Sequence, residues 1–298
     1  MQLPTEIWYN VFYFLTQKSQ GKFSCLWNLH NLGTKEIELI YRSYDLLIES
    51  AENGYTNLIK ILIKQRTNVN IHFHSSYTAL HFASIRGHKE IAELLINAGA
   101  KINKRDNDGN TALHWASIRG HKEIAELLIK AGAKLNIREY YDGYTALYQA
   151  IRYGHKEIVE ILLRAGGNVN IQDNIGQTAL LVAARFHQKT IIESLINSKL
   201  IDNINIQNND DQTALHYVCQ YGLKNCIKLL LDAGANVNVQ DIKDNTPLHY
   251  VYFYNHHHCI DVLLETGANI NARNFFGYKP NQVAKNPDEQ VIYQSTKF

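Results

Sequence analysis

The stretch Thr111–Asn136, TALHWASIRGHKEIAELLIKAGAKLN, describes two short helices and the turns that close them. Thr111 precedes an apolar run, where its hydroxyl can cap a first helix. Gly120 falls where the chain must turn back. HKEIAELLI reads as a second, amphipathic helix; in its earlier copy it puts Ile91, Leu94 and Leu95 at helical spacing. Gly132 sits just past that helix, where a C-terminal cap wants a positive φ.

The same unit recurs. ASIRGHKEIAELLI occurs at Ala83–Ile96 and again at Ala116–Ile129, displaced by 33 residues. Anchors at Thr78, Thr111, Thr145, Thr178, Thr213 and Thr246 are spaced by 33 or 34 residues, with one interval of 35. A fixed period in this range signals stacked repeats. Weaker copies extend both ways, with Asp45 and Lys279 at the Thr position. Between units, KRDNDGN and IQDNIGQ suit a hairpin-like turn. One helix pair cannot bury both its faces, whereas stacked neighbours share a continuous core.

TALHWASIRGHKEIAELLIKAGAKLN, the TPLH at Thr246–His249 and the GANVN at Gly234–Asn238 closely resemble the ankyrin repeat. The resemblance runs over roughly residues 40–285. It implies an all-α ankyrin-repeat solenoid of about seven units plus a partial C-terminal cap, each unit two antiparallel helices and a protruding hairpin loop. Departures are local. REYYDG carries one extra residue, and NSKLIDNIN loses the usual cap and carries two. His187 and Asn255 replace the inter-helix Gly, and Val218 and Val251 replace Ala. Less regular packing is expected around Thr178–Tyr254.

Residues 1–44 do not share the period. LPTEIWYNVFYFL begins with Pro4 where a first helical turn tolerates it, and Glu6 complements the positive helix end. Its apolar residues cover several faces, so something must cover it. Either it caps the repeats, or it resembles the start of an F-box, which Leu3, Pro4, Glu6, Ile7, Val11, Phe12, Phe14 and Leu15 match. The second resemblance implies docking of Leu3, Pro4, Glu6, Ile7, Val11, Phe12 and Leu15 on the adaptor of a host SCF ubiquitin ligase with its cullin. Cys25 and Trp27 depart from the later part of that pattern. F-box and ankyrin segments are paired in secreted bacterial effectors and some viral host-range proteins, which implies cytoplasmic action, including delivery by a bacterium into a host cytosol. Residues 286–298 form a tail.

Catalytic signatures are missing: there is no GxxxxGK[ST], GxSxG or HExxH. The fourteen histidines invite a metal reading, yet His81, His114, His216 and His249 share one repeat position, and His88, His121 and His155 share another. That repetition argues for scaffolding. In NHHHC (Asn255–Cys259) consecutive helical residues point about 100° apart and do not converge on an ion. No cofactor or enzyme activity is expected. With 30 basic and 28 acidic residues, the charge is too balanced for a nucleic-acid footprint. No apolar run approaches the ~18 residues of a membrane span. Four scattered cysteines suit a reducing compartment. The chain is expected to act as a monomer.

In ankyrin repeats the loop tips and the ends of the first helices face a concave groove. Here those columns hold Arg86, Arg119, Tyr141, Tyr144, Arg152, Tyr153, Arg185, Phe186, Tyr221, Phe253 and Tyr254. Aromatics and Arg are enriched at binding hot spots, so the columns predict a protein-binding groove. The alternative is that these rings merely pack on adjacent loops. Asn170 and Asn238 match asparagines that hydroxylases modify in this family, or else serve in loop hydrogen bonding.

Overall fold

The computed structural model describes residues 46–72 and 74–283. The F-box-like residues and the tail lie outside these. The chain divides into two compact units, Met1–Lys101 and Ile102–Phe298.

In the first unit, helical residues 46–53 precede α1 (Thr56–Lys64), α2 (Ala79–Arg86) and α3 (Lys89–Asn97). Helix α3 packs on both α1 and α2. Its buried face is Ile91, Ala92 and Leu95, and Lys and Glu occupy the other face. The second unit repeats that pairing: α4 (Ala112–Arg119) with α5 (Lys122–Lys130), α6 (Ala146–Arg152) with α7 (Lys156–Arg164), and α8 (Ala179–Arg185) with α9 (Lys189–Asn197). Then come α10 (Ala214–Gln220) with α11 (Lys224–Asp232), α12 (Pro247–Phe253) with α13 (Ile260–Glu265), and α14 (Pro280–Val283). First helices pack on first helices and second on second along this unit. Two helical layers result, with Leu113, Ile124, Leu128, Ile158 and Leu162 almost wholly buried between them. Burying a side chain of this size contributes ~2 kcal/mol.

Thr78, Thr111, Thr145, Thr213 and Thr246 close the starts of their first helices as the sequence predicts, whereas Thr178 makes no side-chain cap bond. At Thr111, Thr213 and Thr246 the box is reciprocal: the Thr side chain accepts from the N3 backbone, and the N3 His accepts from the Thr N–H. Histidine thus stands where Glu or Gln is usual.

The turns explain the glycines. Gly120 has φ 77°, and a Cβ there would lie 2.6 Å from Cε1 of His155 in the next repeat. Glycine is needed both for the backbone and for that close approach. His187 and Asn255, which replace it, hold φ of 58° and 61°, so the left-handed turn persists without glycine. The cap expected to be lost in NSKLIDNIN is also kept. Lys199 takes φ 56°, and the Ser198 hydroxyl donates to the Leu195 carbonyl at 2.6 Å. Val218 and Val251 are fully buried, and α8, α10 and α12 still pack in succession.

The hairpin loops close on one acceptor. Oδ1 of Asp106 accepts from the Asp108 and Asn110 N–H groups, and Asp173, Asn208 and Asp241 do the same in their repeats. In REYYDG the loop is one residue longer and the acceptor is Glu139, one methylene longer. Its carboxylate accepts from Tyr141, Asp142 and Tyr144 N–H at 2.7–3.0 Å. The insertion and the longer side chain compensate each other.

Candidate partner-binding face

Four kinds of contact tie successive repeats of the second unit, and they leave one row of side chains over. The first kind uses the T-x-x-H histidines. A backbone N–H can only donate, so Thr111 N–H on Nδ1 of His114 at 3.1 Å requires Nδ1 to be unprotonated and places the proton on Nε2. Nε2 then donates to the carbonyls of Ile137 and Tyr144 in the next repeat, at 3.0 and 3.2 Å. His216 reaches Asn245 O, and His249 reaches Tyr278 O, both at 3.1 Å. Burial holds the His114 imidazole down at about 4, and it also lowers His216 and His249.

The second kind uses histidines after the turn. His155 Nε2 lies 3.2 Å from Ile118 O, and His256 Nε2 lies 3.0 Å from Gln220 O. Both serve carbonyls near the end of the preceding first helix, which have no intrahelical partner. His258 similarly meets Gly222 O at 3.1 Å. The NHHHC run is therefore absorbed in repeat packing. No group of three His, Cys, Asp or Glu among the described residues is placed to hold a metal.

The third kind is an asparagine ladder in the connecting loops. Asn238 donates to Gly267 O at 2.9 Å and accepts from Asn269 N–H at 2.7 Å. Asn170 donates to Leu200 O and accepts from Asp202 N–H. Loop hydrogen bonding thus accounts for both asparagines. The fourth kind, which sequence reading missed, centres on the aromatic fourth residue of certain first helices. Tyr250 donates to Oδ2 of Asp241 at 2.7 Å and accepts from Gln212 of the preceding repeat, also at 2.7 Å. Tyr217 accepts from both Asn208 and Gln177, and Trp115 donates to Asp106 at 2.9 Å. The recurring HY in TALHY and PLHY was the available signal.

The remaining row lies at the ends of the first helices. Tyr144 stacks on Tyr148 at 3.9 Å with planes 10° apart. The Arg152 guanidinium lies 5.6 Å from the Tyr144 ring centre, 5.8 Å from Tyr153 and 5.9 Å from Phe186. Arg185 lies 6.0 Å from the Phe186 ring. Five of the sequence-selected residues are therefore gathered into one guanidinium–aromatic cluster, a geometry attractive in itself. Tyr153 is 50% exposed and Phe186 36%, so the cluster reaches the surface.

The other selected residues divide. Tyr221 meets His187 at 3.5 Å between ring centres, and burial pushes the Tyr221 phenol up and the His187 imidazole down. Tyr254 accepts from Gln220 at 3.2 Å and packs edge-on against Phe253 at 4.9 Å. Burial raises its phenol to about 12. Tyr141, at a hairpin tip, is 70% exposed. Arg119 ends α4 exposed. Arg86, in the first unit, is ion-paired to Glu52 at 2.6 Å.

The family model for ankyrin repeats (3 copies) matches residues 47–139, 136–203 and 192–274. Comparison with curated proteins gives no match. No helix among the described residues is long and apolar enough to cross a membrane. The matched segments overlap and run unbroken from residue 47 to 274, over the helix pairs, capping threonines and loop asparagines described above, and the chain belongs to the ankyrin-repeat family.

Proposed function

We propose that the protein is a non-catalytic adaptor that captures a protein partner on the second unit's row of Arg and aromatic side chains. Ankyrin repeats are protein–protein interaction modules, and the observation that carries this reading is the Tyr144–Arg152–Tyr153–Phe186–Arg185 cluster. It combines exposed rings with cationic groups whose geometry is set by packing, so little side-chain freedom is lost on binding. Arg119, Tyr141, Tyr221, Phe253 and Tyr254 extend the row. Arg86, in the first unit, belongs to the same sequence column.

In the fuller form of this proposal residues 1–44 are an F-box-like segment that recruits an SCF ligase through its adaptor. Residues 45–285 hold the target, and 286–298 are a tail. The match of Leu3, Pro4, Glu6, Ile7, Val11, Phe12 and Leu15 to the F-box start supports that division. The chain would then act in a cytosol, a host's if it is a delivered effector, supplying geometry while the ligase supplies ubiquitin chemistry.

The test is a pull-down of the full-length chain against the SCF adaptor–cullin complex, beside a Val11→Ala/Phe12→Ala variant. Binding by the first and not the second is expected. Binding by neither reduces residues 1–44 to a cap and leaves a scaffold that sequesters its partner.

A further inference from the structure

The row is not uniform along the second unit, and its gradient describes an occupant. At its start, consecutive first helices end in Arg119, Arg152 and Arg185, with Arg119 one position later in its repeat than the other two. Toward its other end the same columns hold Tyr221, Phe253 and Tyr254, with no charge. Arg119 has no ion-pair partner among the described residues, and the contacts of Arg152 are ring faces. A guanidinium stacked on rings keeps its N–H edge available for a carboxylate. The carboxyl groups sharing the surroundings of Tyr144 with Arg152 are Asp142 and Asp173. Asp173 is buried, and its Oδ1 already accepts from Ile175 and Gln177 N–H.

Packed helices lie about 8–10 Å apart. Three residues of an extended chain span about 10 Å, and one turn of polyproline II, also three residues, spans about 9 Å. One repeat step therefore matches every third residue of an extended peptide.

We infer that the face takes an extended acidic–apolar peptide, with Asp or Glu at every third position over Arg119, Arg152 and Arg185 and apolar side chains over Tyr221 and Tyr254. The inference rests on the partner-binding reading of this face and specifies its ligand.

Fluorescence anisotropy on the full-length chain tests it with labelled dodecapeptides. The first carries Asp at every third position and then Leu and Phe. The others carry Lys in place of Asp, Asp at every second position, or phosphoserine in place of Asp. The first should bind at least about tenfold tighter than the Lys and every-second peptides, the equivalent of one net charge-assisted contact. Its affinity should fall with added salt and drop about fivefold in Arg152→Gln and again in Arg119→Gln. Arg119 is exposed, so its variant keeps the test valid if Arg152→Gln unfolds.

Equal binding of the Asp and Lys peptides, affinity unmoved by either substitution, preference for phosphoserine, or no binding at all would each overturn the inference. The broader reading is judged separately by random-peptide display against the chain and a Tyr153→Ala/Phe186→Ala variant. Neutral or basic peptides lost on that substitution would leave a partner-binding face and remove its acidic preference.

Discussion

The repeat opening at Thr213 and the one opening at Thr178 share a backbone but differ at the third helical position, His216 in one and Leu181 in the other. His216 closes its own helix through Thr213 and bonds to Asn245 in the next repeat. Leu181 is equally buried and can do neither. At Thr145 the position is Tyr148, whose ring stacks on Tyr144 instead. The contrast shows that one stacking geometry can be held by two chemistries. One is a buried, neutral imidazole that demands its partners; the other is apolar and aromatic packing that demands only volume. The exposed guanidinium–aromatic cluster lies on two repeats that lack the histidine, those opening at Thr145 and Thr178.

The comparison breaks most sharply if the histidine is removed where it serves. His216→Leu should cost about 3–4 kcal/mol, because the Thr213 N–H is left buried without an acceptor and the Asn245 carbonyl loses the tie to the preceding repeat, keeping only the Asp241 N–H. Urea unfolding measures this, and a cost below about 1 kcal/mol would mean that volume alone holds these repeats.

A somewhat smaller effect comes from acid. His114 is held at about 4 against an ordinary 6.5, so between these values the unfolded chain binds a proton that the folded one refuses. Its contribution is fully present above pH 6.5 and is lost as pH falls to 4, about 3 kcal/mol in all. His114→Gln can keep the capping geometry but cannot titrate. Urea midpoints followed from neutral pH to pH 4 should therefore fall less steeply in that variant than in the parent.

Glu139→Asp sharpens the comparison between the long loop and its neighbours. It should cost about 2 kcal/mol, since the shorter side chain no longer spans the backbone donors it now serves. Deleting Tyr141 together with that substitution recreates the ordinary loop and should recover most of the loss in thermal unfolding. The smallest effect is at the turn. His187→Gly relieves a left-handed φ worth about 1 kcal/mol but forfeits the Tyr221 contact, so the net change should stay under 1 kcal/mol. A loss well above that would make the His187–Tyr221 pair a principal tie between repeats.

Much of this was legible in the chain. The Thr caps, the left-handed turn glycines and the helix faces follow from local rules, and the repetition of the T-x-x-H histidines marks them as scaffolding. The selected Arg and aromatic residues were visible as columns. What was not visible was their division into the Arg152 cluster, the Tyr221–His187 pair and the Tyr254–Gln220 bond. Neither was the hub role of Tyr217 and Tyr250, nor the persistence of a cap at Lys199. Each depends on side-chain directions across repeats, which periodicity does not report.

By itself the sequence determined the helix pair, its turns and its period, because capping, positive φ and amphipathic spacing are decided within a few residues. Only the tertiary structure decided which histidines are neutral, which loop insertion is compensated and which arginines stand over rings. Those facts rest on contacts between neighbouring repeats, where burial and the available partners fix each group's chemistry.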